Sequence, residues 1–134
     1  MTKYMLLQSY APAANCDVPM SEWPEQDITA HIRFQLALNE LLTSSGELVD
    51  FQGLTPPEQA KIVTADANGG AIVTDGPFPE FKELLAGYRI VDVDTESRVI
   101  EIAKQASAAP GPGGAPMGIP IEVRQIMDAP PVDL

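Results

Sequence analysis

A chain of 134 residues, 45% of them hydrophobic, has material for one domain with one core, since a globule of this length buries about two-thirds of its unfolded surface. Nineteen acidic against eight basic residues give a formal charge of -11, which repels phosphate backbones and anionic lipid and so argues against direct nucleic-acid or membrane binding. Cys16 stands alone, which excludes an intramolecular disulfide and a cysteine-based metal site, and no run approaches the roughly 20 apolar residues of a membrane span, so a cytoplasmic, unexported chain is expected.

In chain order, Lys3 to Ser9 reads as a buried strand that stops at the turn-prone Tyr10-Ala11-Pro12. Residues 10 to 26 form a long connection with three prolines, in which Trp23 and Met20 offer the main apolar anchors. A helix is predicted from Asp27, a competent N-cap, to Ser45, with Gly46 placed to end it. Residues 47 to 54 read as a strand. Lys61 to Ala65 and Ala71 to Thr74 read as the arms of an inserted hairpin closed around Asn68-Gly69-Gly70. Residues 79 to 86 suit either a short helix, with Pro79 first and Gly87 as its stop, or a loop. Tyr88 to Val93 alternates as a strand, Asp94 or Thr95 caps a helix running to about Ser107, residues 108 to 118 are a Pro/Gly-rich linker, and Ile119 to Met127 closes the chain's last strand. This makes residues 1–127 one domain, with 128–134 as a frayed tail. The order β-α-β, hairpin, β-α-β is what a ferredoxin-like α+β plait with an antiparallel sheet requires.

At about 100° per residue, the first helix gathers Ile28, Ile32, Phe34, Leu36, Leu38, Leu41 and Leu42 into a broad apolar arc. His31, Gln35 and Asn39, spaced i, i+4, i+8, form a polar seam inside that arc. Buried polar groups need partners, so the seam meets either a ligand or protein and water at a wet margin. His31 is the lone histidine, the side-chain type suited to proton transfer near neutral pH.

The run from Thr74 through Asp75-Gly76-Pro77-Phe78 to Gly87-Tyr88 resembles the motif that names the DGPF-domain, YCII-related family, and Tyr4-Met5-Leu6-Leu7, Gly46-Glu47-Leu48, Gly87-Tyr88-Arg89-Ile90-Val91-Asp92-Val93 and Pro120 to Met127 extend the likeness over nearly the whole chain. The resemblance implies a ferredoxin-like fold, usually homodimeric, and a histidine and aspartate as an active pair, for which His31 and Asp75 are the matching positions. It implies no established reaction, and no cofactor or metal is expected.

Three readings of function follow. One is a small-molecule enzyme in a cleft between the first helix and the sheet, with His31 and Asp75 as catalytic acid-base pair. Another is a non-catalytic ligand-binding or sigma-factor-associated accessory module, with Gln35, Asn39, Phe78 and Tyr88 lining the ligand site. The third is a structural dimer whose Asp75-Gly76-Pro77 turn shapes an interface. Taken alone, Asp75 before Gly76-Pro77 is expected to be a turn former. Arg89 and Arg124 are expected either to bind a carboxylate or to pair with outer-face acids such as Glu122 and Asp92.

Overall fold

The computed structural model describes residues 1–9, 13–16, 18–75 and 85–127. Along these residues the elements are β1 (Thr2–Ser9), α1 (Glu25–Ser44), β2 (Leu48–Gly53), β3 (Lys61–Ala65), β4 (Ala71–Asp75), β5 (Leu85–Val93), α2 (Glu96–Ser107) and β6 (Ile121–Gln125). The main sheet runs β2-β5-β1-β6 and is antiparallel throughout, while β3 and β4 pair only with each other. Each β-α-β half thus leaves a gap that a strand of the other half fills, the interlocked order of a ferredoxin-like α+β plait.

Register decides which side chains meet the helices. Leu6 lies opposite both Arg89 and Val123, and Arg89 opposite Phe51, so these four share one row across the sheet. Period-two alternation puts Tyr4, Val91, Val93 and Ile121 on the same face. Against it pack Leu38 and Leu42 of α1 and Val99, Ile102, Ala103 and Ala106 of α2, forming the core. Met5, Leu7, Tyr88 and Ile90 point the other way, onto a face that carries neither helix.

The helix ends follow local chemistry. Gly46, at φ 80°, lets its own N–H bond Thr43 O and the Glu47 N–H bond Leu42 O, which ends α1 in a Schellman turn. Thr95 accepts from the Arg98 N–H at 3.1 Å and caps α2, as expected. The start of α1 is different from expectation. The helix begins at Glu25 after Pro24, whose ring-fixed φ is -56°, and Asp27 sits inside the first turn, where its charge suits the helix dipole.

Other differences have equally physical causes. Gly87 does not stop a helix: Leu85 and Ala86 already belong to β5, and a Cβ on Gly87 would come within 2.9 Å of Gln52 O, so the glycine permits close approach of β2. Residues 108–118 are not a plain linker. They fold back on themselves through the Met117 N–H to Ala109 O and Gly111 N–H to Ala115 O bonds, and bury Ala109 and Gly111. Ile32, Leu36 and Leu41, expected on the apolar arc, are about half exposed, because the buried face of α1 is centred on His31, Leu38 and Leu42. Phe78, the 79–84 part of the short helix, and the 128–134 tail lie outside the described residues.

Candidate functional site

His31 lies on the inward face of α1 and is 4% exposed. Its Nδ1 is 3.0 Å from Pro110 O, and since a carbonyl only accepts, Nδ1 carries a proton, which in the neutral tautomer puts the ring's lone pair on Nε2. Trp23 packs edge-on against the imidazole, at 5.7 Å between ring centroids, and is itself held by its Nε1–H bond to Val18 O at 2.9 Å. The histidine is therefore fixed by two segments that sequence reasoning had assigned to loops: the connection before α1 and the folded stretch after α2. These segments also join each other, through Ala14 N–H to Gly118 O and Asn15 N–H to Met117 O.

Gln35, one turn on, places its Nε2 at 3.4 Å from His31 Nε2 and its Oε1 against Arg89 Nη2. Arg89 Nε donates to Asn39 Oδ1 at 2.8 Å, and Phe51 lies 4.7 Å beneath the guanidinium. The polar seam is thus real, and β5 supplies its centre. Arginine has no acceptor atom, so Arg89 orients the Gln35 amide with its oxygen inward and its NH2 toward His31. Turning the amide would bring its NH2 onto Arg89, so the Gln35 NH2 stays on the His31 side, at a long 3.4 Å from Nε2. Burial pushes the Arg89 guanidinium down to about 10, which leaves it charged at neutral pH.

Of the residues singled out from sequence, His31, Gln35 and Asn39 come together. Tyr88 is on the opposite face of the sheet, where it donates to Asp50 Oδ2 at 2.9 Å, a bond that raises its phenol. Arg124 is exposed and lies 3.9 Å from Glu122, the outer-face pairing expected of it. The same expectation fails for Arg89, which is buried against α1. Its parity held the signal: Arg89 alternates in phase with Val91 and Val93, the core residues of β5, while Ile90 shares the outer face with Tyr88 and Asp92.

The charged partner of Asp75 is Lys61, and the contacts of His31 are with Pro110, Gln35 and Trp23. Asp75 ends β4, its Oδ1 is 2.6 Å from Lys61 Nζ across the hairpin, and the two side chains are 77% and 61% exposed. An ion pair this wet is worth under about 1 kcal/mol. Asp75→Asn is therefore expected to leave the urea midpoint nearly unchanged and to leave binding at His31 intact. Loss of a His31-dependent ligand in this variant, measured by thermal shift, would refute the separation of the two residues.

Among the described residues no group of three His, Cys, Asp or Glu side chains is arranged to hold a metal ion, and no helix is long and apolar enough to cross a membrane. The family model of the YCII-related domain matches residues 2–114. An uncharacterized protein of Rhizobium meliloti (strain 1021) is 29% identical over 89 residues, spanning 66% of this chain and 71% of that protein.

Proposed function

The chain belongs to the YCII-related domain family, and from that premise we propose that it takes a small molecule at the junction of α1 and β5, with His31 as proton acceptor. The observation that carries this reading is the state of the imidazole: buried, pinned at Nδ1 by Pro110 O, and offering Nε2 beside a long 3.4 Å contact to Gln35. A base held in one tautomer needs no reorganisation before it takes a proton. Gln35 and Asn39 serve the site by orienting Arg89 and the imidazole. The chain works as a cytoplasmic homodimer in this reading, the partner covering the helix-free sheet face that carries Met5, Leu7 and Ile90.

A second reading, a binding module without chemistry, is favoured by one observation: Asp75, the acid expected to complete an active pair, is engaged by Lys61 instead. A metabolite library screened by thermal shift against wild type and His31→Gln separates the two. Compounds that stabilise wild type but not the variant, and that are converted on incubation, support the enzyme; compounds that stabilise both support a module that uses another surface. Sedimentation at micromolar concentration checks the dimer, and a monomer throughout would remove it.

A further inference from the structure

This inference rests on the α1–β5 site proposed above and names what that site takes. Arg89 is 4% exposed, and every group that satisfies it is neutral: Asn39 Oδ1 at 2.8 Å, Gln35 O at 3.4 Å, Gln35 Oε1 and the Phe51 ring. Among the described residues no carboxylate lies in ion-pair range of the guanidinium, and Nη1 has no acceptor, although the same chain holds nineteen acids and the half-buried Arg98 is clamped by Glu47. A buried cation matched only by neutral dipoles is an arrangement that folding alone disfavours, since neutral partners offset its desolvation less than a well-placed opposite charge does. Its Nε and Nη2 edges are used to lock Asn39 and Gln35 in place, which leaves the Nη1 edge aimed and rigid.

We propose that Arg89 Nη1 receives the carboxylate of a small monoanionic organic acid, held one amide away from His31. A charge-assisted bond to that edge supplies the missing counter-charge without disturbing the Gln35 and Asn39 contacts. The net charge of -11 selects against the alternative of a phosphate dianion, whose second charge raises both the repulsion at approach and the cost of leaving water. The acid's reactive end would then lie on the His31 side of Gln35, where the imidazole lone pair is.

The test uses the intact chain and the plainest probes, acetate, its neutral counterpart acetamide, and inorganic phosphate, with the arginine side-chain 15N signals read by NMR. Acetate is expected to shift the Arg89 signals, and the Gln35 side-chain amide with them, in a saturable way with a dissociation constant on the order of 1–10 mM. Acetamide is expected to leave them unmoved and phosphate to act more weakly than acetate. The proposal is overturned if acetate leaves Arg89 unmoved, if acetamide acts equally, or if the exposed Arg124 responds in its place. Arg89→Gln, checked for folding by circular dichroism, should lose the acetate response; if it does not fold, the wild-type spectra decide alone. A metabolite hit that needs His31 yet is uncharged would keep the site and remove this inference, whereas acetate bound at Arg89 with no His31-dependent hit would do the reverse.

Discussion

Ile102→Ala should lower the unfolding free energy by about 2–5 kcal/mol, a large part of what holds a domain of this size together. Ile102 is 0% exposed and sits in α2 over the sheet, in one cluster with Leu42, Val91, Val93 and Val99. Removing its outer carbons loses their transfer free energy and also leaves a cavity, because the cluster's members on two helices and the sheet are tied by their own backbone bonds and cannot all close in. Ile100, two residues earlier on the same helix, is 55% exposed and serves as the control. Ile100→Ala should stay within about 0.5 kcal/mol of wild type. Urea unfolding of both variants checks this, and equal losses at the two positions would mean that α2 does not pack as described.

Acid should weaken the fold through one identifiable carboxylate. Glu47, just before β2, receives two bonds from Arg98 of α2, each 2.8 Å, and one from the Ser45 hydroxyl at 2.7 Å. The Arg98 bonds hold its carboxyl at about 2, well below the 4.5 of a free glutamate, against the opposing effect of burial. A folded-state value below the unfolded one means that the stabilisation is complete above pH 4.5 and is lost as pH falls toward about 2. The side chains of Glu47 and Arg98 are 15% and 30% exposed, so solvent screening brings the effect to about 1–2 kcal/mol, below what the full shift would imply. Glu47→Gln should flatten this part of the stability profile relative to wild type. Arg98→Met should destabilise at neutral pH, because it leaves a half-buried carboxylate without its cation. Urea midpoints measured across the acid range decide it: a Glu47→Gln profile parallel to wild type would show that the pair carries no acid sensitivity.

The residues of the site were legible to different degrees. His31, Gln35 and Asn39 were found because helical spacing alone puts them in one row, and the buried face of α1 includes that row. The active pair with Asp75 was not visible as a geometry, since an aspartate's own sequence neighbourhood says nothing of which residue will face it across a hairpin, and Lys61 does. Arg89 was assigned to the wrong sheet face even though its parity with Val91 and Val93 was available. A charged residue in a strand is ordinarily placed in water, and only the packing of Asn39, Gln35 and Phe51 around it makes the buried position tenable.

By itself the sequence determined the features whose bonds close within a few residues. The Schellman stop at Gly46, the Thr95 cap, and the hairpin turn in which Asp66 Oδ1 accepts from the Asn68 and Gly70 N–H groups are all of this kind, and with the two apolar periodicities they order the elements into a plait. The tertiary structure decided the features whose partners are far apart in the chain. His31 meets Pro110 and Arg89 meets Gln35 and Asn39 only because strand register and helix docking bring those segments together. The reason is one of range: a cap or tight turn is set by local dihedral preferences, whereas a buried polar contact depends on where the whole core places two distant backbones.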